Sequence, residues 1–200
     1  MVNYRNEPTM SVYNTSDLRK GLKVAMDGDP YMITECNFVK PGKGQALYRL
    51  KLKNLIRGNV LDRTLKSGDS LEGADVRDEE LQYLYRDGEN FVFMDPETFD
   101  QPVLTGEQVG DDAKWLKDGL MCTVTFWNDK PIAFAPPNHL VLKIEYTEPG
   151  FAGNTATNVT KPARLETGAE VQVPPFIKEG EYVKVDTRTG EYLERVRMDK

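Results

Sequence analysis

The chain has 200 residues, 16 of them glycine and 12 proline, with 39% hydrophobic residues and a formal net charge of −6. No apolar run approaches the roughly 20 residues that a membrane-spanning helix needs, and two cysteines with one histidine are too few for a usual metal centre. Helical signals are sparse and short apolar runs recur between Gly- and Pro-rich turns, which predicts an all-β chain of small barrels.

Residues 1–9 are polar and unpatterned and read as a flexible leader. Arg5, Glu7 and the absence of an apolar segment there speak against a secretory signal. Cys36 and Cys122 lie in separate strand-like runs and are expected to be buried free thiols, as in a reducing cytoplasm.

A first unit, 10–73, opens with a turn at 16–21 and a strand at 22–26. Asp27-Gly28-Asp29-Pro30 is a turn signal. A hairpin follows, with strands at 31–39 and 47–56 around the tip Lys40-Pro41-Gly42-Lys43-Gly44. After a turn at Arg57-Gly58-Asn59, a strand at 60–65 is the fourth located in a barrel-sized unit for which five strands are expected. Pro41 fixes its own φ and has no N–H for a ladder. Gly42 and Gly44 permit positive φ on both sides of Lys43. The product is one lysine on a bare, narrow loop, either a solvated turn residue or a group presented to a partner. Beyond the tip, Tyr48, Leu50 and Leu52 alternate with Arg49, Lys51 and Lys53. The three cations read either as a solvated edge or as a row suited to a phosphate backbone.

A second unit, 74–136, contains a hairpin, 81–85 and 90–94, turning at Asp87-Gly88. Residues 106–119 are the best helix candidate, and 121–127 with 132–135 form another strand–turn–strand. A third unit, 137–200, has strands at 139–146, 169–173, 182–185 and 192–196, with a loop at 147–162 rich in Gly, Asn and Thr. Residues 1–73 hold 12 Lys and Arg against 8 Asp and Glu, whereas 74–200 hold 14 against 24. A basic first third on an acidic remainder is compatible with docking one end on RNA.

His139 is the single histidine and opens an apolar strand, so a Ser-His-Asp triad is not expected. Gly42-Lys43-Gly44 lacks the hydroxyl residue and spacing of a phosphate-binding loop. With no paired acid and base in view, the chain reads as a non-enzyme with no catalytic residue, no metal and no cofactor.

Phe38-Val39-Lys40-Pro41-Gly42-Lys43-Gly44-Gln45-Ala46 resembles the modified-loop motif of bacterial elongation factor P, with Lys43 at the modified position. Lys66-Ser67-Gly68-Asp69-Ser70, Thr98-Phe99-Asp100-Gln101, Lys161-Pro162-Ala163 and Val185-Asp186-Thr187-Arg188-Thr189-Gly190 are similar to later segments of that family. The likeness runs from about Asn14 to Val196. It implies three β-barrels in an L shape resembling tRNA, an SH3-like (KOW-type) barrel followed by two OB-fold barrels. It also implies a monomeric cytoplasmic factor, unassociated with membranes, that binds the ribosome between the peptidyl and exit tRNA sites. There it stimulates peptide bond formation at consecutive prolines by positioning peptidyl-tRNA. Lys43 is the implied modification site, served by a lysyl-tRNA-synthetase-like modifying enzyme. A β-lysyl group is favoured, with an aminoalcohol adduct or no modification as alternatives. Lys40, Pro41, Gly42 and Gly44 flank it at the tRNA end, and Arg49, Lys51 and Lys53 face the tRNA or rRNA backbone. Gly153, Asn154, Thr155 and Ala156 lie where the family has Gly-Asp-Thr-Ala near exit-site mRNA; Asn154 replaces the acid. Tyr192 and Arg195 match C-terminal contact positions, although Tyr192 also suits a barrel core. A divergent paralogue, a generic single-strand-binding OB-fold protein and an interaction scaffold are the competing readings.

Overall fold

The computed structural model describes residues 11–149 and 159–197. Its framework is three sheets, of six, five and five strands. The expected leader at 1–9 and the loop Gly153, Asn154, Thr155 and Ala156 lie outside the described residues.

The first sheet contains β1 (Val12–Asn14), β2 (Lys23–Met26), β3 (Asp29–Val39), β4 (Leu47–Asn54), β5 (Val60–Lys66) and β6 (Ser70–Gly73). Its order is β1-β6-β2-β3-β4-β5: six strands where five were expected, and the four located in the sequence are β2 to β5. The short strands β1 and β6 pair with each other, Tyr13 opposite Leu71. Neither has a local pattern strong enough to announce it. β2 and β3 are joined through Asp27 and Gly28, with φ of 51° and 84°, the positive angles a two-residue hairpin requires. Pro30, expected in that turn, is instead inside β3 opposite Ala25. Leu18, Val24, Tyr31, Ile33, Leu50, Leu52 and Leu65 form the buried core of this sheet. Asn54 is buried at the end of β4. Its amide donates to Asp29 Oδ2 at 2.8 Å and its Oδ1 accepts the N–H groups of Ile56 and Arg57, each at 2.8 Å. That one side chain ties down the turn leading into β5.

The second sheet contains β7 (Val76–Asp87), β8 (Asn90–Met94), β9 (Val103–Thr105), β10 (Met121–Trp127) and β11 (Lys130–Ala135), ordered β11-β10-β7-β8-β9. The helix expected over 106–119 is only one turn, α1 (Gly106–Val109), capped reciprocally by Thr105 and Gln108. Gly110, at φ 60°, ends it, and a 3-10 segment continues over Gly110–Trp115.

The third sheet contains β12 (His139–Thr147), β13 (Lys161–Leu165), β14 (Glu170–Val173), β15 (Tyr182–Asp186) and β16 (Glu191–Val196), ordered β14-β13-β12-β15-β16. β13 was not expected, because Pro162 and the preceding polar run read as loop. Trp115 joins Leu142, Ile144, Leu165 and Val183 in the core of this sheet, although in sequence it lies in the 106–119 segment. Contacts divide the chain into two compact units, Met1–Glu79 with Val124–Ala133, and Glu80–Thr123 with Phe134–Lys200. Among the described residues no helix is long and apolar enough to cross a membrane.

Candidate functional site

β3 and β4 run antiparallel in continuous register from Glu35 opposite Lys51 to Val39 opposite Leu47. The seven residues between them are the tip. Lys40, Pro41, Gly42, Lys43, Gly44 and Gln45 are all exposed. Gly44 has φ 123°, whereas Gly42 is outside the positive region; one of the two glycines, not both, uses its freedom. A Cβ at Gly42 would meet no atom within 4 Å, so the path beside Lys43 is open.

At the foot of the tip, Phe38 faces Tyr48 across the ladder with ring centroids 5.1 Å apart. On the opposite arm Gln45 Nε2 donates to the Ser67 carbonyl, and the Ser67 N–H donates to the Ala46 carbonyl at 2.8 Å. The tip is thus an exposed loop on a held base. The Gln45–Ser67 bond and the Asn54–Asp29 bond escaped sequence reasoning, since their partners lie 22 and 25 residues apart and carry no motif.

The strand row is realised as alternation predicts. Leu50 and Leu52 are buried and Arg49, Lys51 and Lys53 are exposed. From Cys36 to Leu61 the sequence has Lys40, Lys43, Arg49, Lys51, Lys53 and Arg57 and no Asp or Glu. The neighbouring strands supply the acids. Lys51 Nζ lies 3.1 Å from Glu35 Oε1 and is opposite Asp62 on β5; Arg57 reaches Asp29 at 3.3 Å. Among the described residues no side chain pairs with Lys40, Lys43, Arg49 or Lys53. The row is therefore interrupted at its middle, by an exposed pair of the kind worth at most about 1 kcal/mol. Repulsion-free approach of an anion is easiest from the tip and from the two ends of the row.

Tyr192 and Arg195 belong to the other compact unit. Tyr192 packs against the third core, and burial raises its pKa. Arg195 Nη1 is 3.1 Å from Glu181 Oε1, and its guanidinium lies over the Phe176 ring at 5.8 Å. Nearby, Arg188 bonds Asp186 through two nitrogens at 2.6 and 3.1 Å. The Arg188 guanidinium holds the Asp186 carboxyl well below the usual carboxylate range, and His139 at 3.8 Å adds to it. That arrangement closes the β15–β16 turn and accounts for His139 structurally. Cys36 and Cys122 are both free, but Cys36 is only half-buried. Burial, then the charge of Glu80, pushes the Cys122 thiol up to about 12.

What the tip offers chemically is two primary amines, Lys40 and Lys43, on an exposed loop with an anchored base. Its seven residues include no Asp, Glu or His.

Comparison with known proteins gives the family. The family model described as the elongation factor P KOW-like domain matches residues 14–71. The one described as the elongation factor P OB domain matches 76–134, and the elongation factor P C-terminal model matches 140–195. Elongation factor P of Rhodopirellula baltica is 58% identical over 190 residues, covering 95% of this chain and 97% of that protein. Among solved structures, eukaryotic translation initiation factor 5A from Methanococcus jannaschii superposes with a TM-score of 0.55 at 20% identity. That match covers 64% of this chain and 95% of the other. A translation initiation factor eif-5a family protein from Naegleria fowleri gives 0.51 at 18% identity, covering 62% and 97%. These two likenesses concern the fold, and each leaves about a third of this chain unmatched. The all-β architecture with a KOW-like unit followed by OB barrels is the expected one.

Proposed function

Because the chain belongs to the elongation factor P family, and is on that ground a translation elongation factor that associates with the ribosome, we propose that Lys43 is its working group. In this reading the factor docks between the peptidyl and exit tRNA sites and carries Lys43 to the CCA end of peptidyl-tRNA. It stimulates bond formation between consecutive prolines, whose rigid secondary amine reacts slowly. The contribution is positional. Holding reactants in a productive geometry is worth several kcal/mol in favourable systems, and no acid or base of the factor's own is required.

The observation that carries the proposal is Lys43 itself: exposed, and without a partner among the described residues, on a loop with an anchored base. A lysine that stabilised the fold would have a partner. A modification, a β-lysyl group by preference, would lengthen its reach without meeting a neighbouring side chain at Gly42 or Gly44. Lys40, Arg49 and Lys53, with Lys51 when released from Glu35, supply phosphate contacts along the same hairpin. Tyr192, Arg195 and the Gly153–Ala156 segment belong to secondary contacts with tRNA and exit-site mRNA. The factor works as a cytoplasmic monomer. A generic single-strand binder is disfavoured by the acidic balance of residues 74–200.

The test is reconstituted translation of reporters with and without a run of three prolines. Modified wild type should relieve the stall on the first and leave the second unchanged. Lys43→Ala should relieve neither, and Lys43→Arg should fail if the modification is needed. Equal relief by wild type and Lys43→Ala refutes the proposal.

A further inference from the structure

The two arms of the tip are held differently. Among the described residues the incoming arm, Lys40 to Gly42, makes no side-chain hydrogen bond. The outgoing arm is fixed twice, by the Gln45 amide on the Ser67 carbonyl at 2.5 Å and by the Ser67 N–H on the Ala46 carbonyl at 2.8 Å. Ser67 is in turn held from behind. Asp69 Oδ2 accepts the Lys66 N–H at 2.8 Å. The Gly68 N–H donates to Thr15 Oγ1 at 3.3 Å, and the Thr15 N–H donates to the Asp69 carbonyl at 3.1 Å. Thr15 is 3% exposed, so this run of hydrogen bonds ends in the packed body of the sheet. Gly44, at φ 123°, is the joint between the braced residue and Lys43.

We propose that Gln45 is a positioning residue: its side chain braces the outgoing arm of the tip against the Ser67–Asp69 turn, so that Lys43 leaves the joint at Gly44 in one direction. The inference rests on the reading of Lys43 given above. On a factor already docked through its other contacts, an unbraced tip must still be ordered at the tRNA end, losing backbone entropy for each residue fixed. A brace made during folding removes part of that cost from the step the tip assists, so it acts on maximal stimulation and not on docking. Gln45 is exposed, so nothing about the core requires an amide there; the bond it makes is with the neighbouring turn.

Gln45→Met keeps the side-chain length and removes the donor, and Gln45→Lys restores a donor of similar reach. Full-length proteins from the native host, matched by intact mass at Lys43, are compared with wild type and Lys43→Ala. In Gln45→Met the Ser67 amide should exchange with solvent about five-fold faster, the factor that one net hydrogen bond is worth. Maximal stimulation of proline–proline synthesis should fall by a similar factor while the concentration for half-stimulation is unchanged. Gln45→Lys should recover most of both. If Gln45→Met retains full stimulation beside an inactive Lys43→Ala, the brace is overturned and the Lys43 reading stands. A loss seen only in the half-stimulation concentration makes Gln45 a direct contact and overturns the brace too. A fully active Lys43→Ala overturns both.

Discussion

Gly42→Ala and Gly44→Ala are the same chemical change two residues apart, yet the structure separates them. Space does not: a Cβ at Gly42 meets nothing within 4 Å, and one at Gly44 meets only Pro41 Cγ, at an ordinary 3.8 Å. The backbone does. Gly44 has φ 123° and Gly42 has no positive φ. An alanine forced to keep the Gly44 angle costs about 1–2 kcal/mol. The tip is exposed, so the loop relaxes instead, and global stability falls by less than that. The population holding the native tip geometry falls about 5- to 30-fold. At Gly42 the alanine is compatible, and restricting the unfolded chain stabilises by about 0.4–1 kcal/mol. Urea unfolding and the proline-run translation assay, run on both variants, measure the two effects. Gly44→Ala should keep its midpoint nearly unchanged and lose most of its stimulation; Gly42→Ala should keep both. Equal loss of stimulation in the two variants, or full activity of Gly44→Ala, would refute the argument.

Three further outcomes follow from other parts of the molecule. Asn54→Ala leaves the Ile56 and Arg57 N–H groups without their acceptor and should cost about 2–3 kcal/mol by denaturant unfolding; a loss below about 0.5 kcal/mol would mean the turn is held otherwise. Replacing Arg49, Lys51 and Lys53 together by Glu should weaken ribosome co-sedimentation and flatten its dependence on salt, and an unchanged slope in a folded variant would reduce the row to a solvated face. Asp186 has a depressed folded pKa, so its stabilising effect is fully present above the unfolded carboxylate value of about 3.9 and is lost as pH falls toward the folded value. The stability gap between wild type and Asp186→Asn should be flat from pH 7 to 5 and close below about pH 4; a gap that persists undiminished at pH 3 would contradict this.

The hairpin was legible because its signals are local. Leu50 and Leu52 alternate with Arg49, Lys51 and Lys53 at the period of a strand, and Pro41 and the glycines mark the turn. What escaped is what depends on partners distant in sequence. β1 and β6 are short and are strands by virtue of each other. β13 carries Pro162 near its start, which argues against a strand until its register with Gln172 is seen. The 106–119 segment has a helical apolar side, yet Gly110 at φ 60° breaks it and Trp115 is drawn into the third core. At the site, the motif located Lys43. It did not reveal that Gly44 alone uses a positive φ, that Glu35 occupies Lys51, or that Gln45 holds Ser67, because charge pairing and side-chain bonds across strands leave no trace in spacing.

The central claim is that Lys43 acts on the chemical step at proline and not on the fold. Single-turnover peptide bond formation between a peptidyl-prolyl-tRNA and prolyl-tRNA, at saturating factor, tests it most directly. Modified wild type should accelerate the reaction, and Lys43→Ala should leave it near the rate without factor. Because the exposed lysine has no partner among the described residues, the unfolding free energy of the variant should stay within about 0.5 kcal/mol of wild type. A folded Lys43→Ala that accelerates the reaction as well as modified wild type would contradict the account.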